Sequence, residues 1–285
     1  MNESAQPRSV VVGVDGSKAA LRAALWAVDE AVSRDATLRL VGAVEPGEVP
    51  DATERAERVE RVERAVNHAI TAIQAAGAPP KMETRVTDGP AARSLIRASA
   101  SAALLCVGAV GLRHFQPGRV GSTAAAVATS AHCPVAIVRA QQPRLPSGPA
   151  AAIVVELGGA AESEDAEIVL GAAVDEARLR DAALHAVVRG RADDIAGAAG
   201  QGDRSALADL DRRLARWTRR YPDLRVESAV ARGGLLDYVA GHRPVQLAIV
   251  GSRNRQRLAE LVGPAGTAGL QDAGCSLLVV NRRHL

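Results

Sequence analysis

Short apolar runs alternate along this chain with longer stretches in which hydrophobic residues recur every three or four positions. The runs SVVVGV at 9–14, TLRLVGAV at 37–44, METRV at 82–86, ALLCVGAV at 103–110 and VAIV at 135–138 read as five strands. Between the first two, Leu21, Leu25, Val28 and Val32 fall on one helical face, with Trp26 packing at its edge. The segment ATERAERVERVERAVNHAITAIQ places Val59, Val62, Val66, Ile70 and Ile73 at the same spacing. It also sets Glu57 four residues before Arg61 and Glu60 four before Arg64, so its charges read as a solvated helix face rather than a binding patch. Gly77 with Pro79 and Pro80 ends that helix, and Asp88 with Pro90 opens another that runs to about Ser99.

After Arg139 the text QQPRLPSGPA has the Pro, Gly and Ser content of an exposed linker, and AAIVVEL then restarts the series of elements. This places a boundary near residue 145, giving domains at 1–144 and 145–285. Fragments of the first half return in the second: RDATLRLVGAV from Arg34 answers RDAALHAVVR from Arg180, LLCVGAVG from Leu104 answers LAIVGSRN from Leu247, and CPVAIV from Cys133 answers CSLLVV from Cys275. The offset stays between 142 and 146, as a duplicated unit requires. Strands joined through helices by right-handed crossovers give an open parallel sheet covered on both faces. The expected fold is α/β, two doubly wound five-stranded parallel-sheet domains in tandem, with ligand chemistry just beyond the carboxyl ends of the strands.

Composition narrows the picture. Hydrophobic residues make up 47% of the 285, yet aromatic residues only 2%, so the cores are filled by Ala, Val and Leu between closely spaced layers. The 35 basic and 32 acidic residues leave a net charge of +3, too small and too scattered for a nucleic-acid surface, and stacking platforms for single strands are scarce. Cys106, Cys133 and Cys275 lack CxxC spacing and read as reduced thiols; His68, His132, His185 and His242 are scattered, none at metal-ligand spacing. The opening MNESAQPRS has no signal-peptide pattern and no apolar stretch suffices to cross a bilayer, so the expectation is a cytoplasmic protein without membrane contact.

The chemistry gathers at strand ends. The first strand closes in Gly13-Val14-Asp15-Gly16-Ser17, one carboxylate in a tight turn at a helix entrance, and the second ends near Val41, Gly42 and Ala43. The fourth runs into Gly108-Ala109-Val110-Gly111, nine residues, and then Gly121-Ser122-Thr123 at the start of a helix. Unpaired amides and a positive dipole make a helix N-terminus a phosphate site, and glycine lets the chain approach without a Cβ in the way. Gly108, Gly111, Gly121 and Ser122 could thus clasp a polyphosphate, while Ser122 or Thr123 alone could equally be a helix cap. Arg113, His114 and Arg119 lie in the same loop, placed to neutralise charge.

The motifs VVVGVDGS, LVGAV, VGAVG-x9-GST and HCPVAIVRA, in this order, resemble the universal stress protein family across the whole first unit. The resemblance implies a Rossmann-like fold and, in the ATP-binding branch, ribose and phosphates on Gly108, Gly111, Gly121, Ser122 and Thr123, the nucleoside on Asp15, and adenine near Ala43. Val14, in the turn with Asp15, completes the candidate set. ATP with Mg2+ is the implied cofactor, with no catalytic residues and no protein-held metal. The resemblance further implies side-by-side pairing through last strands, which VAIV at 135–138 and LLVV at 277–280 could supply within the chain, or between two chains as a homodimer.

The second half departs from the pattern. Its first strand ends Val155-Glu156-Leu157-Gly158-Gly159, which sets Leu157 where Asp15 stood and turns Glu156 to the opposite face by alternation. Its later loop has Asn254 for the second glycine and Pro264 for the hydroxyl residue, and Arg253, Asn254, Arg255 and Arg257 read as a solvated basic loop. The function expected is an ATP-binding regulatory protein of stress responses, acting through nucleotide-dependent conformation or an unknown protein partner. A scaffold without nucleotide and a slow ATPase are the alternatives; the chain has neither GxxxxGK[ST] nor GxGxxG, so efficient turnover is not expected.

Overall fold

A computed structural model describes residues 9–46, 51–77, 80–112, 120–139, 152–158, 163–190, 201–242 and 244–281. The chain divides into two compact units with the main cut between Arg139 and Ala140, the short stretch Val262–Pro264 grouping with the first. The linker text at 141–150, and with it the boundary expected near 145, lies outside the described residues.

In the first unit β1 (Ser9–Gly13), α1 (Lys18–Ser33), β2 (Leu38–Val44), α2 (Ala52–Ala76), β3 (Met82–Asp88), α3 (Ala91–Ser99), β4 (Ala102–Gly108), α4 (Ser122–Ser130) and β5 (Val135–Val138) follow in turn. All five strands coincide with the apolar runs. They pair in parallel in the order β3-β2-β1-β4-β5. The chain moves outward from β1 to β2 and β3 and returns to β4 on the other side, so the switch point lies between the ends of β1 and β4. The second unit holds β6 (Ala152–Leu157), α5 (Ser163–Leu179), β7 (Ala183–Arg189), α6 (Gln201–Arg220), β8 (Val226–Ala231), α7 (Leu235–Gly241), β9 (Val245–Gly251), α8 (Arg255–Val262), α9 (Pro264–Asp272) and β10 (Ser276–Val280). Its parallel order is β8-β7-β6-β9-β10, with the switch point between β6 and β9.

Helix α1 turns an unexpected face to the sheet. Ala19, Ala20, Ala23, Ala24, Ala27 and Ala31 are buried, whereas Leu21, Leu25 and Val28 are half-buried and Val32 is 58% exposed. Alanine wins because the helix lies so close to β4 that longer side chains have no room: a Cβ on Gly108 would stand 2.6 Å from the Ala19 carbonyl carbon. On α2, by contrast, Val66 and Ile73 are buried and Val59, Val62 and Ile70 half-buried, the face expected. Its Glu60–Arg64 pair forms, as does Glu54–Arg58.

The repeated RDA text has a structural counterpart. Buried Glu30 and Glu176 each pair with an arginine four residues on, Arg34 and Arg180, and the next residue, Asp35 or Asp181, takes a positive φ of 47° or 48° to leave the helix. The three cysteines are buried and form no disulfide with one another. Two of the histidines are not scattered: His185 Nδ1 lies 3.2 Å from the Tyr238 hydroxyl, and His242 stacks on the Tyr238 ring at 3.9 Å.

Candidate functional site

The turn after β1 is held in place by its own polar groups. The Val14 amide donates to the Val41 carbonyl at 2.9 Å, tying the turn to the end of β2. Asp15 accepts from the Ser17 amide at 2.9 Å through Oδ1 and from the Leu112 amide at 3.0 Å through Oδ2, so one carboxylate joins the turn to the loop after β4. Gly16 has a φ of +87°, and Ser17 caps α1 by accepting from the Ala20 amide at 3.0 Å.

The three glycines of the later motif serve different ends. Gly108 is there for packing against α1, since a Cβ would meet backbone atoms of Ala19 and Ala20 at 2.6 and 2.7 Å. Gly111 leaves room for Asp15, whose Oδ2 lies 2.7 Å from the place of a Cβ. Gly121, whose amide donates to the Ala109 carbonyl at 2.8 Å, opens α4 without any side-chain cap. The first amides of α4, on Ser122, Thr123 and Ala124, have no acceptor within the helix and line the space in front of it. Arg113, His114 and Arg119 lie outside the described residues.

These pieces surround one cavity of about 330 Å³ at the carboxyl ends of β1, β2 and β4. Val14, Asp15, Ala43, Gly108, Gly111, Gly121, Ser122 and Thr123 all line it. So do residues that sequence reading left aside: Glu45 after β2, Leu95 of α3, and Arg58, Arg61 and Val62 of α2. The first turns of α2 are therefore a cavity wall as well as a charged surface. No sequence pattern separates the two roles, because the same Glu/Arg repeat runs from Glu54 to Arg64 through cavity-lining and solvent-facing positions alike.

The second unit builds a different site at its own switch point. Ile153 pairs with Leu247 as Val10 pairs with Leu104, and Ala152 with Val245 as Ser9 with Ala102, so positions correspond at an offset of 143. This corrects the sequence alignment: Gly158 corresponds to Asp15, Leu157 to Val14, and Glu156 to Gly13. Glu156 is not turned away but lines a cavity of about 750 Å³, where it forms a buried ion pair with Arg257. Burial raises the Glu156 pKa, and Arg257 opposes the rise. The stretch expected as a solvated basic loop is instead partly helical: Arg257 lies in α8, 6% exposed, and Arg253 pairs with Asp165. Asn254 Oδ1 accepts from the Arg257 amide at 2.9 Å, and Pro264 has no amide proton to offer at the start of α9. Asn254 thus caps α8, and Pro264, opening α9 as Ser122 opens α4, offers no amide there. Both carboxylate and guanidinium are neutralised before any ligand arrives.

Comparison with known proteins agrees with this architecture. Residues 7–139 match the Universal stress protein family. Over 289 aligned residues, covering 100% of both chains, this chain is 50% identical to Universal stress protein Rv2028c of Mycobacterium tuberculosis. It is 40% identical over the same extent to Universal stress protein Rv3134c of that organism. Among solved structures, a universal stress protein from Archaeoglobus fulgidus superposes with a TM-score of 0.71 over 99% of each chain at 15% identity, a likeness of fold. The chain belongs to the universal stress protein family.

Proposed function

We propose that the first unit binds ATP in the cavity at the ends of β1, β2 and β4, and that the protein acts in stress responses as a nucleotide-dependent regulator rather than as an enzyme. The observation that carries the reading is the convergence of Asp15, Gly111, Gly121 and the uncapped start of α4 on one cavity. The amides of Ser122, Thr123 and Ala124 and the helix dipole suit phosphate oxygens. Val14, Val41, Ala43 and Val44 form an apolar patch of the lining at the ends of β1 and β2, suited to a nucleobase. A divalent cation such as Mg2+ would arrive with the phosphates, supplying charge neutralisation there. Asp15 spends both oxygens on backbone amides, which supports a positioning role in place of general-base chemistry. With Gly158 at the position of Asp15, Pro264 opening α9 where Ser122 opens α4, and Glu156 paired with Arg257, one nucleotide per chain is the expected load.

The test is mass analysis of nucleotide released on denaturing the purified protein, beside Asp15→Ala and Gly121→Ala. One ATP per chain, stable over hours and lost in both variants, is expected. Absence of nucleotide, with no binding when ATP is added back, would overturn the reading and leave a scaffold; steady release of ADP would make the protein an ATPase.

A further inference from the structure

Helix α2, whose charged face is largely solvated as expected, also brings half-buried Arg58 and exposed Arg61 to the cavity lining. Its position is fixed by two close approaches: Val62 Cγ1 lies against the site of a Cβ on Gly42, and Ala65 Cβ lies 3.3 Å from the corresponding site on Gly16. Arg58 and Arg61 stand four residues before Val62 and Ala65, on the same faces and one turn nearer the helix start. In a β-α-β unit the helix start lies at the carboxyl ends of the strands. Arg58 therefore stands above the end of β2, and Arg61 above the Gly16 turn. That turn's other neighbour is Leu112, whose Cδ1 lies 3.8 Å from the Gly16 Cβ site and which directly follows Gly111. Arg61 thus belongs to the glycine-loop side of the cavity and Arg58 to its β2 side.

The arginines of this wall are not fully paired. Arg58 gives Nη1 to Glu54 at 3.2 Å, but its Nε is buried without an acceptor. Arg61 lines the cavity and has no carboxylate partner among the described residues. Two carboxylates share the lining, Glu45 after β2 and Asp15, whose oxygens are held by the Ser17 and Leu112 amides, and neither forms an ion pair with Arg61. A buried donor lacking an acceptor is uncommon in folded proteins, so Arg58 Nε marks a place where a further group belongs, while Arg61 stands exposed beside it with its charge unpaired among the described residues.

We propose that Arg61 is a specificity-determining residue that makes this cavity select a nucleoside triphosphate over the bare nucleoside. The inference rests on the nucleotide reading above. A guanidinium beside the phosphate loop attracts a ligand in proportion to its negative charge, whereas the apolar lining and the β2 edge act alike on ATP and adenosine.

The experiment is calorimetric titration of the full chain, freed of nucleotide, with ATP, AMP and adenosine. It compares the parent with Arg61→Gln, Arg61→Lys and Arg64→Gln, the last altering an exposed arginine paired with Glu60 and absent from the cavity. Arg61→Gln should lower the ratio of ATP to adenosine affinity about tenfold. Arg61→Lys should recover part of that loss, and Arg64→Gln should leave the ratio as in the parent. If Arg61→Gln weakens ATP and adenosine equally, or changes neither, Arg61 does not read the phosphates and the proposal is overturned while nucleotide binding stands. If the parent binds none of the three ligands, the nucleotide reading itself fails and takes this inference with it.

Discussion

Gly108 and Gly121 belong to one sequence motif, yet the structure gives them opposite mutational signatures. A Cβ at Gly108 would stand 2.6 Å from the Ala19 carbonyl carbon, 2.7 Å from the Ala20 amide nitrogen and 2.8 Å from the Ala19 Cβ. These are backbone and near-backbone atoms of the first turn of α1, so no side chain can rotate away; the turn must retreat by about 1 Å to restore ordinary contact. Overpacking of this kind costs about 1–3 kcal/mol, and for a unit of this size each kcal/mol lowers the melting midpoint by roughly 2–4 °C. Gly108→Ala should therefore melt roughly 3–10 °C below the parent without any ligand present. At Gly121 the nearest atoms to a Cβ, the Ala109 oxygen and the Gly111 nitrogen, are 3.6 Å away and φ is an ordinary −59°. Gly121→Ala should hold its stability within about 0.5 kcal/mol while placing a methyl group over the phosphate cradle. Thermal unfolding of the three nucleotide-free proteins decides the matter. The packing argument is wrong if Gly108→Ala melts with the parent, or if Gly121→Ala falls as far as Gly108→Ala.

Three further outcomes follow from buried ionisable groups. Arg257→Ala strands Glu156 in the second cavity and should cost about 3–5 kcal/mol, whereas Arg257→Met combined with Glu156→Leu should regain most of it in urea denaturation; a near-neutral single variant would contradict the burial of this pair. Burial lowers the His185 pKa below 6.5, with Glu227 opposing and His242 assisting the shift. The unfolded chain then binds the proton more readily, so stability is full above the unfolded value and is lost as pH falls from 6.5 through the lowered folded value. His185→Phe should flatten the dependence of the urea midpoint across that window; an unchanged slope would assign the effect elsewhere. Burial also pushes the Cys133 thiol up to about 12, so at mildly alkaline pH it should resist a disulfide reagent in the native chain and react in guanidinium. Rapid native labelling at Cys133 would refute its burial.

The inner strands were legible because a parallel strand buried on both faces is a continuous apolar run, and edge strand β3, largely exposed, was legible from its place between helix stop and start signals; each first-unit run fell within two residues of an observed strand. The candidate site was legible because its parts follow strand ends in sequence. What escaped is tertiary distance. Hydrophobicity ranks Leu21, Leu25, Val28 and Val32 above alanine, but the spacing of α1 from β4 is set by Gly108, and close spacing favours the alanine stripe. Likewise the Glu/Arg pattern of α2 does not say where the helix stands relative to the strand ends, so Arg58 and Arg61 read as solvated. In the second unit the strand pairing, not the last apolar letter, defines equivalence. The one-residue shift from Leu157 to Gly158 turned Glu156 from an outward carboxylate into the partner of Arg257.

The scarcity of aromatic residues gives the chain a built-in optical division. Its two tryptophans fall one to a unit, Trp26 on α1 and Trp217 on α6, while both tyrosines, Tyr221 and Tyr238, belong to the second. Trp217 stacks on Tyr221 at 6.2 Å between ring centroids, close enough to receive its excitation energy, and Trp26 has no tyrosine in its own unit. Emission from a Trp217→Phe chain therefore reports on the unit with the candidate nucleotide cavity, and emission from a Trp26→Phe chain on the other. The halves of one continuous polypeptide can be watched separately, without dyes or truncation.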